Sequence, residues 1–143
     1  MINNSNIEQV KILIKKEESP KIVLAQNDEF NRKILEQCKF NILLSIENGN
    51  RKNKIRQVDS GLNQVLAKIA TKNKVAIGLD LDAIKPLEPK QKAERLSKIR
   101  QNIRVCRKAK TRLAVKAQSL EEVKNFLINM GASTNQIKET III

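Results

Sequence analysis

The sequence predicts an α/β protein of parallel βα units, arranged as a partial barrel or an open sheet. Short apolar runs, Lys21 to Ala25, Phe40 to Ser45, Lys74 to Leu81 and Leu113 to Val115, alternate with stretches whose apolar residues recur at helical spacing. The runs are nearly continuous in apolar character, as expected of strands buried on both faces of a parallel sheet. At about 30 residues per unit, 143 residues hold four or five βα units, whereas a full eightfold barrel needs about 250. Residues 1–143 therefore read as a single domain.

The elements follow in order. Ser5 and Glu8 have capping-box spacing, and Ile7, Val10, Leu13 and Ile14 continue at helical intervals, predicting a helix from Asn6 to Lys16. Pro20 breaks it, and Lys21 to Ala25 is a short buried strand. Asn27 or Asp28 caps a helix through Ile34 and Leu35 to Cys38. After the strand Phe40 to Ser45, Glu47 to Arg56 reads as an exposed, basic loop. Asp59 or Ser60 caps a helix carrying Leu62, Val65, Leu66 and Ile69, which leads into the strand Lys74 to Leu81. Pro86 and Pro89 precede the longest helix, Lys90 to Ala109, whose stripe of Leu96, Ile99, Ile103 and Cys106 faces the core. Beyond Leu113 to Val115, Ser119 and Glu122 form a second capping box for a helix with Val123, Phe126, Leu127 and Met130, ended by Gly131. Ile137 to Ile143 reads as a closing strand.

Composition narrows the chemistry. With 41% hydrophobic and 30% charged residues the chain has the profile of a folded protein. It contains no histidine, which excludes histidine-centred triads and histidine-built zinc sites. Cys38 and Cys106 are too few for a four-thiolate zinc site and read as small buried hydrophobes. No apolar run approaches a membrane span, and Met1 to Glu8 lacks both a basic start and an apolar signal core, so no membrane partner and a cytoplasmic location are expected.

Charge carries the strongest functional signal. The net charge is +13, and Arg51 to Lys116 holds 19 basic and 5 acidic residues. A proteome-wide lysine habit would spread the excess evenly, so this asymmetry points to a polyanionic partner. Lys85 to Arg112 has eleven basic residues against Glu88 and Glu94. Helical geometry groups Arg100, Arg104 and Arg107 beside the apolar stripe, with Lys108 following, as a row able to fork onto phosphate oxygens. A merely solvated helix would interleave acids at i+4, and here almost none stand. Aromatic residues are only Phe30, Phe40 and Phe126, too few for base-stacking platforms, so an RNA partner would be read by backbone and shape. Asp80 and Asp82 at the end of the third strand would point the same way and could hold Mg²⁺, or pair with Lys74 or Lys85. The glycines Gly49, Gly61, Gly78 and Gly131 are isolated and form no phosphate loop.

At Ser60-Gly-Leu-Asn-Gln-Val-Leu-Ala-Lys68, followed by Asn73-Lys-Val-Ala-Ile-Gly78, the chain resembles the archaeal ribonuclease P protein component 3 family, kin of the eukaryotic 30-kilodalton subunit. Arg51-Lys52, Asp59-Ser60-Gly61, Val65-Leu66-Ala67-Lys68 and Val75-Ala76 fill the family's basic loop, cap, helix and strand in the same order. The likeness extends through Glu94-Arg95 and the basic helix to Met130-Gly131, and back to Asn27-Asp28. Asn63 and Gln64 replace the family's usual Asp and His, and the Asp80/Asp82 pair is not a family feature.

The resemblance implies TIM-barrel-like parallel βα units in a shortened or incomplete barrel. It also implies a non-catalytic subunit that supports the removal of 5′ leaders from precursor tRNA. Its partners would be ribonuclease P RNA, precursor tRNA indirectly, and another small protein subunit, with catalysis carried by the RNA. Lys33, Arg51, Lys52, Lys68 and Lys72 match basic positions of the family. Arg100, Arg104, Arg107, Lys110 and Arg112 are candidates on the charge argument. No cofactor, resident metal or catalytic residue is expected. The alternatives are a small βα-barrel-like metal-dependent hydrolase using Asp80 and Asp82, or a DNA-binding or scaffold protein.

Overall fold

The computed structural model describes residues 1–49 and 58–143. Its elements run α1 (Ile7–Lys16), β1 (Ile22–Leu24), α2 (Asp28–Gln37), β2 (Ile42–Leu44), a 3₁₀ turn (Ile46–Asn48) and α3 (Gln64–Lys72). They continue with β3 (Ala76–Asp80), α4 (Leu81–Ile84), α5 (Pro89–Ala109), β4 (Leu113–Lys116), α6 (Leu120–Asn129), α7 (Thr134–Glu139) and β5 (Ile141–Ile142). All five strands lie in one sheet in the order β1-β2-β3-β4-β5, each parallel to its neighbour. Ile2 adds a parallel bridge to Val23 beyond the β1 edge.

Pairing each strand with its predecessor through right-handed crossovers sends every helix to the same face. One core accordingly joins Val10, Ile34, Ala67, Ile103 and Leu127 of the helices to Val23, Leu43, Ile77, Leu79, Leu113 and Val115 of the strands. The opposite face buries Ile42, Ala76 and Ala114 against Ile22, Ile141 and Ile143, with no helix residue among them. This is the winding of a βα barrel carried through five strands, not the two-sided layering of a doubly wound sheet. On that face Gly78 has to stay small. A Cβ on Gly78 would stand 2.8 Å from Ile42 Cγ2 and 2.9 Å from Leu44 Cδ1, because both β2 side chains lean across β3.

Several expected boundaries shift, each for a local reason. Asn6, not Ser5, caps α1, accepting from the amides of Glu8 and Gln9. Helix α3 begins late because Asn63, rather than Asp59 or Ser60, caps it through the Leu66 amide, and Leu62 is buried ahead of the helix. Glu47 is not part of an exposed loop: it lies buried in the 3₁₀ turn that follows β2. The tail expected as one strand divides, with Ile137 in α7, opened by a complete Ser133–Gln136 capping box, and only Ile141–Ile142 pairing with β4. Both cysteines are buried, and burial pushes the Cys106 thiol up to about 12.

Three helices close in the same way. Val75 N–H donates to Ala70 O, Thr111 N–H to Cys106 O and Ala132 N–H to Leu127 O, the six-to-one bond of a Schellman end. The residue inside each closure adopts the left-handed conformation: Lys74 at φ 58°, Lys110 at φ 59° and Gly131 at φ 83°. Glycine takes this conformation freely, whereas a residue with a Cβ loses about 1–2 kcal/mol to its own carbonyl crowding.

Candidate nucleic-acid interface

Helix α5 is the longest element and the scaffold of the charged surface. Pro89 occupies its first turn, Ile99, Asn102, Ile103 and Cys106 are its buried residues, and Lys110 ends it. Arg100, Arg104 and Arg107, four and three residues apart, project together from its exposed side. None has an acidic partner within 4.0 Å among the described residues. Their charge is therefore carried into solvent unrelieved.

The remaining described candidates are exposed but differ in freedom. Lys68 and Lys72 lie on the outer side of α3, which packs along α5, with the Thr71 hydroxyl donating to Ala109 O at 3.1 Å. Lys110 is exposed at the turn into β4, and Arg112 Nε donates to Glu139 O at 3.2 Å. Lys33 is held by its own helix: Nζ meets Glu29 Oε1 at 2.8 Å and, through that hydrogen bond, keeps the Glu29 carboxyl below its ordinary pKa. Arg51 and Lys52 lie outside the described residues. Three further lysines, Lys21, Lys39 and Lys74, stand beside this set just ahead of β1, β2 and β3, a placement visible in the sequence only once the strand starts are fixed.

The paired-acid reading of Asp80 and Asp82 is corrected. They do not share a strand face, because β3 ends at Asp80 and the chain turns at once into α4, which holds Asp82. Asp80 caps that helix, accepting from the Ala83 amide at 3.1 Å, and faces Lys116 Nζ at 4.0 Å. Asp82 faces Lys85 Nζ at 3.8 Å, and Lys85 also pairs with Glu122 of α6. The hydrogen bond from Lys85 holds the Glu122 carboxyl below the usual carboxylate range. Among the described residues, no group of three His, Cys, Asp or Glu side chains is placed to hold a metal ion. A polar cluster the sequence did not suggest lies one strand away, where Arg95 reaches both Glu47 and Ser45 at the carboxyl end of β2.

Neither the family models nor the curated proteins match this chain. Among solved structures it is similar to a chain of an archaeal ribonuclease P, determined by cryo-EM with mature tRNA, with a TM-score of 0.74 at 20% sequence identity. The likeness is one of fold. It covers 95% of this chain and 62% of the ribonuclease P chain, so the present chain spans less than two thirds of that neighbour's length. The fold is thus a shortened TIM-barrel-like βα arrangement, as expected from the sequence. Among the described residues no helix is long and apolar enough to cross a membrane.

Proposed function

We propose that this chain is a protein subunit of ribonuclease P, of the component 3 type, which binds the ribonuclease P RNA and supports removal of 5′ leaders from precursor tRNA. The observation that carries this reading is the unpaired Arg100–Arg104–Arg107 row on α5, in a fold shared with a chain of archaeal ribonuclease P. Guanidinium groups fixed along a helix neutralise phosphate repulsion that Mg²⁺ otherwise has to screen. Lys110 and Arg112 are further candidate RNA contacts on the charge argument, and Lys33, Arg51, Lys52, Lys68 and Lys72 on the family resemblance. The chain acts with a second small protein subunit in the cytoplasm, catalysis residing in the RNA.

The metal-dependent hydrolase alternative is weakened by the engagement of Asp80 and Asp82 in separate ion pairs. Reconstitution tests the proposal. The chain, with its partner subunit, added to ribonuclease P RNA should lower the Mg²⁺ needed to cleave precursor tRNA, while the protein alone cleaves nothing. An unchanged Mg²⁺ requirement, or cleavage that survives removal of all RNA, would overturn it. Equal competition by duplex DNA and folded RNA would favour the DNA-binding alternative.

A further inference from the structure

Five of the described basic residues outside the α5 row stand at one end of the sheet. Lys21 directly precedes β1, Lys39 stands three residues before β2, Lys74 two before β3, and Lys110 and Arg112 three and one before β4. The strands are parallel and in register from Ile22 through Ile42 to Ala76, so their starts lie side by side. With neighbouring strands about 4.8 Å apart, the cations are spread along a front of several strand widths rather than gathered around one point. Between β1 and β3 the front opens into a cleft of about 610 Å³ lined by Lys21, Lys39, Lys72 and Lys74. The one acid on its wall, Glu36, is engaged by Arg32 at 3.0 Å.

We infer that this end of the sheet is a second RNA-backbone surface, built by Lys21, Lys39, Lys74 and Lys110 and separate from the outer row of α5. The inference rests on the RNA-binding reading and adds to it the face on which a second RNA segment lies. Three repeats of one motif within the molecule carry it. At the closures of α3, α5 and α6 the chain needs a left-handed residue, and only α6 uses the glycine that this backbone favours. At α3 and α5 the residue is an exposed lysine without an acidic partner, kept in a conformation that disfavours any side chain. Attraction to the negative ends of helices does not explain the whole front, because Lys21 stands five residues past the end of α1, outside its last turn. Lys39, Lys74 and Lys110 are exposed and Lys21 half-buried, and the four are spaced along the front rather than converged in a buried cage around a single anion, which fits an extended run of phosphates.

The test is the double variant Lys74→Gly, Lys110→Gly, in which glycine suits both backbone positions so that the fold is preserved. Binding to an RNA duplex of two helical turns is measured across a salt series, with thermal unfolding alongside. The melting temperature should hold or rise. Affinity at low salt should fall several-fold, and the slope of log K against log salt should become shallower by about 1–2, at roughly 0.9 per lost phosphate contact. Unchanged affinity and slope in the folded variant would overturn the inference. The triple variant Arg100→Glu, Arg104→Glu, Arg107→Glu separates it from the broader reading. If that variant alone flattens the slope, this face is not used and the RNA-binding function stands. If the unmodified chain binds no RNA, both fail.

Discussion

Arg95 Nε donates to Glu47 Oε1 at 3.3 Å, joining α5 to the turn after β2 across 48 residues of chain. The same guanidinium reaches Ser45 Oγ at 3.4 Å. Glu47 is the most deeply buried acid of the described chain, and burial pushes its carboxyl above the ordinary value while the Arg95 charge opposes that rise. The pair ties the helix that carries the charged row to the barrel-end of the sheet.

Removing one partner of a buried pair strands the other. Arg95→Met should therefore destabilise the protein by about 3–5 kcal/mol, read from urea unfolding. The pH dependence has a defined sign. A carboxyl whose folded-state pKa is raised favours the fold below its ordinary pKa, and that contribution is lost as pH rises through the raised value. Without Arg95 the raised value climbs further, so the deficit should be largest near neutral pH and shrink on acidification. Adding Glu47→Gln to Arg95→Met should remove most of this pH dependence; a deficit independent of pH would show that Glu47 is not its source.

Gly78→Val should cost about 1–3 kcal/mol, because Ile42 and Leu44 already occupy the space above β3 and an added side chain forces both off their rotamers. The urea midpoint should fall while the denaturant slope stays constant. Gly49→Ala makes a useful control, since a Cβ there meets nothing within 4 Å.

The Arg100→Glu, Arg104→Glu, Arg107→Glu variant should stay folded, as judged by circular dichroism, because the buried stripe of Ile99, Ile103 and Cys106 is untouched. Its affinity for ribonuclease P RNA should drop, with the salt slope flattened by about two to three units at roughly 0.9 per phosphate. A slope equal to that of the unmodified protein would leave α5 as a solvated face.

Thiol labelling should distinguish the two cysteines. Burial holds Cys106 at about 12, so its modification should follow global unfolding. Cys38, at the end of α2, is also raised chiefly by burial but lies nearer the surface and is opposed by the Lys11 charge, so it should react first. Mass spectrometry of a labelling time course reads the order directly.

The parts of the fold legible in the sequence are those fixed by neighbours in the chain. The periodicity of Val10 and Ile14, or of Ile99, Ile103 and Cys106, marks a buried helix face whatever lies opposite. Caps were less legible, because Asn6 and Asn63 compete with serines and aspartates of nearly equal capping strength. In the isoleucine-rich tail, local apolar content does not distinguish the helical Ile137 from the strand residues Ile141 and Ile142. In the candidate interface, the α5 row was visible because helical spacing is local. Glu47 looked like a loop acid because its partner lies on a different element, and Lys21, Lys39 and Lys74 looked unrelated because only strand pairing sets them side by side.

The identity of strand order and sequence order also prescribes how the chain assembles. Each strand joins the edge left by the one synthesised before it, so no place in the sheet is held open for a later segment. A chain emerging from the ribosome can complete each βα unit on the preceding one, and the loops closed at each step stay short. Strand β5, Ile141–Ile142, gains only two residues of pairing and joins after the other four described strands. Its amides should exchange first under native conditions, while those of β2 and β3, paired on both sides, exchange only when the whole molecule opens.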